Sequence, residues 1–174
     1  MRTALDQNLE LLRQGLDLLE RIDDDTYRAA DDPAEAGSGV GPHLRHCVDA
    51  YECLLCGLGQ GRVDYDARRR DAGVESDRRA GVAALDELAA NLSLLADRDP
   101  DTELRVQADT PADAPGAWSR STLRRELQFL VGHTVHHYAL VAMILRRRGI
   151  EPGRDFGVAP STLRHWARRE SIAR

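Results

Sequence analysis

Apolar residues recur along this chain at intervals of three and four in four long stretches, the spacing that lines one face of an α-helix. Leu5, Leu9, Leu12, Leu16 and Leu19 form the first stripe. It follows Thr3-Ala4-Leu5-Asp6, a capping-box pattern that satisfies backbone N–H groups at a helix start, so helix one is expected to run to about Ile22. Asp23 to Gly41, with Asp31-Asp32-Pro33 and Gly37-Ser38-Gly39, is polar and rich in breakers and reads as a connection that could border a site. Pro42 suits the first position of helix two, which is expected to reach Leu58 before Gly59-Gln60-Gly61. Two apolar stripes lie side by side on that helix: Leu44, Val48, Tyr51, Leu55 and Leu58, then His43, Cys47, Ala50, Leu54 and Gly57. Only Arg45, Asp49 and Glu52 leave a plainly polar strip, the pattern of a helix central in a bundle.

Arg62 to Gly73 lacks periodicity and reads as a loop, whose Tyr65 to Arg70 run is better explained as solvated charge than as a contact for an anionic substrate. Ser76 is the expected N-cap of helix three, whose buried stripe is Val82, Leu85, Leu88, Leu92 and Leu95, with Asp97-Arg98-Asp99-Pro100 as its stop. Leu104 to Ala108 alternates with period two and predicts one short strand, while Pro111, Pro115 and Gly116 keep the next stretch irregular. Ser119 or Ser121 should cap a long fourth helix that closes at Arg146-Arg147-Arg148-Gly149, with cations at the negative end of the dipole and a C′ glycine. A short terminal helix, capped by Ser161, carries Arg164, His165, Trp166, Arg168 and Arg169. Docking of Trp166 on the bundle is preferred over a nucleic-acid contact. Residues 1–174 therefore read as one all-α domain without internal repeats.

Charge and cysteine usage narrow the class. The 174 residues hold 24 Lys plus Arg and 29 Asp plus Glu, a net charge of −5 that argues against a general nucleic-acid binder. No apolar run approaches the roughly 18 residues that cross a bilayer, so a cytoplasmic protein with no membrane partner is expected. Cys47, Cys53 and Cys56 are an odd number within one helix and are read as reduced thiols. Cys53-Leu54-Leu55-Cys56 sits mid-helix, without the context of a redox motif, as small core residues.

The candidate chemistry lies in helix four. Glu126, Leu130, His133, His137, Leu140 and Ile144 share one helical stripe, which turns His133 and His137, one turn apart, toward the other helices. Imidazoles taken out of water need partners for their nitrogens, either carbonyl oxygens and acids or one shared metal ion. Helix two offers a third nitrogen from His43, inside its apolar arc, or His46, at the margin and about 60° from Asp49 on the helical wheel. His46 with His133 and His137 would form a three-nitrogen set with an open coordination position, the mark of catalytic rather than structural sites. His-x-x-x-His here lacks the Glu of the H-E-x-x-H proteases. Asp49 is a candidate to orient His46. Glu126, about 10 Å along the helix from the pair, is a candidate base or supporting acid, and His136 a candidate substrate-facing donor.

Four helices, with His46-Cys47-Val48-Asp49 in the second and His133-Thr134-Val135-His136-His137-Tyr138 in the fourth, resemble the DinB/YfiT-like superfamily of candidate metalloenzymes over nearly the whole chain. Tyr65 to Arg70 and Asp155 to Arg164 resemble one branch of it. The resemblance implies an up-down-down-up four-helix bundle with a long crossover, here followed by a short C-terminal helix. It also implies a divalent ion, zinc or nickel, on His46, His133 and His137. His46 is favoured over His43 because Asp49 completes the family's His-x-x-Asp; if both face the ion, the site is less open. Relatives of this kind imply a transferase using a low-molecular-weight thiol, or a hydrolase, acting on a small-molecule substrate, since a divalent cation makes a bound thiol or water nucleophilic at neutral pH. The rival readings are a non-catalytic, stress-associated module with a structural metal, and a nucleic-acid partner of the Arg-rich tail. Homodimerisation, through the apolar excess of helix two or the tail, is a further expectation.

Overall fold

A computed structural model describes residues 3–30, 39–108 and 118–172. Helix α1, Ala4–Arg21, opens with the expected capping box: the Thr3 hydroxyl accepts from the Asp6 N–H at 3.1 Å and the Asp6 carboxylate accepts from the Thr3 N–H at 2.9 Å. A short helix, α2, Asp24–Arg28, follows under an Asp23 cap and buries Tyr27, whose hydroxyl donates to the Val74 carbonyl. Helix α3, Val40–Leu58, starts two residues before the expected position, on Gly39. Pro42 is therefore third in the helix, where its missing N–H is still one that no helical carbonyl would meet.

Besides α2, which lies in the stretch expected to be a connection, three short elements depart from the sequence reading. Strand β1, Arg62–Asp64, lies where a loop was expected, because a single buried residue, Val63, flanked by charge is too short to show a period. Helix α4, Ala72–Ser76, ends on the serine expected to cap the next helix; its hydroxyl turns back onto the Ala72 carbonyl at 2.7 Å, and Asp77 caps α5, Arg78–Ser93. Strand β2, Glu103–Gln107, is the predicted strand. It pairs parallel with β1 and antiparallel with β3, Ser119–Thr122, so Ser119 and Ser121 belong to a strand and Thr122 caps α6, Leu123–Arg147. Gly149 takes the expected left-handed C′ conformation, φ 74°. Pro111, Pro115 and Gly116 lie outside the described residues. Helix α7, Pro160–Ile172, has no fully buried side chain; Trp166 is half-buried and carries the Arg154 guanidinium 5.7 Å from its ring centre.

The long helices alternate in contact: α1 packs on α5 and α6, and α3 packs on the same two. Leu12 and Leu19 of α1, Tyr51 and Leu54 of α3, Leu85 and Leu92 of α5, and Leu130 and Leu145 of α6 are almost wholly buried between them. One polar chain crosses this core. Thr134 donates to the Tyr51 hydroxyl at 3.1 Å, Tyr51 donates to Asn8 Oδ1 at 2.8 Å, and Asn8 Nδ2 donates to the carbonyls of Ala4 and Leu127. No described helix is long and apolar enough to cross a membrane, and the three cysteines are unpaired thiols.

Glycine lets α3 lie flush on its neighbours. A Cβ at Gly57 would strike the Arg62 carbonyl, where β1 folds back over the helix, whereas one at Gly59, φ −65°, meets nothing within 4 Å. Gly57→Ala should therefore cost about 1–3 kcal/mol by overpacking, while Gly59→Ala should be neutral or stabilise by up to about 1 kcal/mol. Urea unfolding of the two variants measures the difference, and equal effects would show that β1 does not press on α3.

Candidate metal centre

The two histidine-bearing helices are set against each other by the Tyr51–Thr134 hydrogen bond, with His133 one residue before Thr134 and His46 five before Tyr51. His46, His133 and His137 each bring a ring nitrogen to within 4.8 Å of the other two. His46 Nε2 and His133 Nε2 are 3.0 Å apart, close to the roughly 3.3–3.4 Å edge of a tetrahedron with zinc–nitrogen bonds of about 2.0–2.1 Å. All three rings are half-buried, and their centroids lie 4.5 to 4.8 Å apart.

Burial makes these rings poor bases. Desolvation first, then the charges of neighbouring histidines, pushes His133 down to about 4 and His137 to about 3 from the ordinary 6.5. Desolvation also lowers His46, helped by Arg68 and Arg45 and opposed by Asp49, and it lowers His43, with His136 adding to the effect. At neutral pH the cluster is uncharged, which is the form that ligates a metal. His133 Nδ1 is buried without a hydrogen-bond partner among the described residues. Three convergent neutral imidazoles, each able to offer one lone pair, suit a divalent cation.

The other candidates fall in distinct places. His43 lies outside the three-residue group, yet its Nδ1 is 3.0 Å from His137 Nδ1. Asp49 is buried but makes no hydrogen bond to His46; it accepts from Arg45 Nη1 at 2.8 Å and from the Arg70 N–H at 3.0 Å. Glu126 is also buried and occupied, accepting from the Tyr65 hydroxyl at 2.9 Å and from Ser121. Both carboxylates thus brace the segment after β1 instead of touching the imidazoles. His136 is exposed, its ring 5.1 Å from that of His137.

Residues outside the expected set complete the site. Phe129 lies 5.6 Å from the His133 ring and 5.1 Å from Tyr65, forming an aromatic wall, and Arg68 Nη1 reaches His46 Nδ1 at 3.1 Å. Beside them a cleft of about 220 Å³ follows the α3 stripe that continues from His46, lined by Asp49, Cys53, Cys56 and Gln60 and roofed by Ala67 and Arg69. Tyr65, the one aromatic in a charged run, was the signal in the sequence that this segment folds inward.

The sequence model of the DinB superfamily matches residues 5–141, a span that includes all three clustered histidines. FK506-binding protein 5 from Rhizopus delemar (strain RA 99-880) is 32% identical over 104 residues, 59% of this chain and 27% of that protein, so the chain spans about a quarter of the relative's length. No solved structure gives a significant match.

The depressed basicities carry a pH signature. Unfolding returns His133 and His137 toward 6.5, so the unfolded chain binds protons that the folded one refuses. Their contribution is complete above about pH 6.5 and is lost as pH falls toward about 4 for His133 and about 3 for His137, at no more than about 1.4 kcal/mol per pH unit for each ring and less with solvent screening. Urea midpoints of the metal-free protein between pH 7.5 and 4.5 should fall, and His137→Gln should flatten the slope. A slope unchanged in that variant would show that the buried ring is not resisting protonation.

Proposed function

The chain belongs to the DinB superfamily, and from that premise we propose a metalloprotein in which His46, His133 and His137 hold one divalent ion, zinc or nickel, to act on a small-molecule substrate. The reaction class is transfer of a low-molecular-weight thiol or hydrolysis. The carrying observation is the convergence of three uncharged imidazole nitrogens, from two helices, within 4.8 Å. On this reading α1, α3, α5 and α6 form an up-down-down-up bundle with the site on its α3–α6 seam, in a cytoplasmic protein.

When bound, the ion supplies a charge that lowers the pKa of a thiol or water enough for attack at neutral pH. The chain's own part is orientation and exclusion. Desolvated rings keep their lone pairs free of protons, Phe129 and Tyr65 shield His133, and the cleft along α3 admits a small molecule. Glu126, tied to Tyr65 and Ser121, positions the wall and leaves proton transfer to a group nearer solvent, for which exposed His136 is the nearest candidate.

A second reading, an ion that only secures α3 to α6 in a binding module, draws on the His43–His137 contact. Full protein coordination by four imidazoles would favour it over catalysis.

Metal analysis of protein purified without a histidine tag and then exposed to zinc or nickel should give about one ion per chain. His46→Ala, His133→Ala and His137→Ala should each weaken binding by well over about a hundredfold, and His43→Ala by about ten- to a hundredfold, the range seen for groups that only orient a ligand. Stoichiometry near zero after metal addition defeats the proposal. A His43→Ala loss equal to that of the three moves it to the structural reading.

A further inference from the structure

The arginines after β1 differ in what they meet. Arg69 pairs with Glu52 at 3.4 Å, and Arg70 gives its backbone N–H to Asp49. Arg68 has no carboxylate partner among the described residues. Its Nη1 faces only His46 Nδ1, and its Nε is buried with no hydrogen-bond partner. A guanidinium donates and never accepts, so His46 Nδ1 must be the acceptor, and a partly desolvated cation is left with a neutral partner and an unanswered N–H. That is an expensive arrangement for a charge withdrawn from water.

Three acids that face this segment are engaged elsewhere. Asp49 is held by Arg45 and the Arg70 amide, Glu126 by Tyr65 and Ser121, and Glu52 by Arg69. Ala67 and Arg69, its neighbours in the chain, line the α3 cleft, while Arg68 itself turns to His46.

We infer that Arg68 is the anion-recognition residue of this site and that the small ligand it meets carries a carboxylate. In naming the substrate class, the inference rests on the metal-centre reading. A carboxylate complements the planar fork of N–H donors with two parallel oxygens, which a single imidazole nitrogen does not. It also resolves a conflict at His46. If His46 gives Nε2, the atom facing His133, to an ion, its proton moves to Nδ1, where it meets Arg68 donor to donor. An anionic oxygen accepts from both.

Acetate is the probe, titrated by NMR into full-length wild type, Arg68→Gln and Arg68→Lys, each in metal-free and cobalt-treated form. The readouts are the Arg68 Nε–H signal and the histidine ring signals. In wild type these signals should shift saturably. Arg68→Gln should weaken acetate binding by about tenfold or more, the loss expected for one charge-assisted hydrogen-bonded pair, and Arg68→Lys should fall between. Equal affinity in wild type and Arg68→Gln overturns the inference, as does wild type that binds no acetate in either form. Cobalt uptake in the same samples tests the metal reading separately: acetate binding that depends on Arg68 in protein that takes up no cobalt keeps the anion site and removes the metal. Matching circular dichroism across the variants excludes misfolding as the cause of a loss.

Discussion

The hydrogen bond from Thr134 to the Tyr51 hydroxyl, deep between α3 and α6, is the constraint on which the site depends. Leucine faces can slide past one another at little cost in direction, because hydrophobic burial is not directional. A buried hydroxyl cannot, since moving it one turn would orphan Thr134, Tyr51 and Asn8 together, at about 1–3 kcal/mol for each unsatisfied group. Because His133 adjoins Thr134 and His46 lies five residues before Tyr51 on the same helix, the register that satisfies this chain is also the one that brings the two Nε2 atoms to 3.0 Å. Core polarity and site geometry are one fact here, seen at two places along the same pair of helices.

The second organising influence is the segment between β1 and α4. Two buried carboxylates hold it at either end: Glu126 on the Tyr65 hydroxyl and Asp49 on the Arg70 amide. Arg68 lies between those anchors and is presented to His46 by them. The division of labour is electrostatic. Nearby acids are spent on arginine, backbone and aromatic placement, desolvation holds the imidazoles neutral, and Arg68 stays without a counter-ion among the described residues.

The range of each interaction decided whether it could be read in the sequence. The long helices and the His133–His137 pair were legible because both are written in intervals of three and four, and the capping box at Thr3 because its partners are three residues apart. The region from Arg62 to Ser76 was not. β1 is too short for a period and exists because β2, some forty residues later, accepts it as a neighbour. The caps moved by one to three residues at α5 and α6 because nearby Ser, Asp and Thr are all competent; the cap of α6 is Thr122, the last residue of β3. Asp49 comes after His46 at the spacing of an orienting carboxylate, yet Arg45, one turn before it, and the Arg70 amide, from outside the helix, claim it. Arg68 was hidden for the same reason: a run of charge looks solvated unless contacts distant in sequence turn one member inward.

His43 shows how two histidines three residues apart on α3 can hold different duties. Its Nδ1 sits 3.0 Å from Nδ1 of His137, not within the group of three nitrogens. Two ring nitrogens at that distance share one proton, so one ring donates and the other accepts, and each ring's Nε2 is then left with the complementary state. If His137 is the donor, its Nε2 carries a lone pair and can face the cluster, while His43 holds the ring from behind as a carboxylate or carbonyl does for many metal-bound histidines. That arrangement needs no fourth ligand to explain why a second histidine occupies the apolar arc of α3. A cleft runs along the same helix from Asp49 to Gln60, and Arg68 meets His46 on its other ring nitrogen, Nδ1.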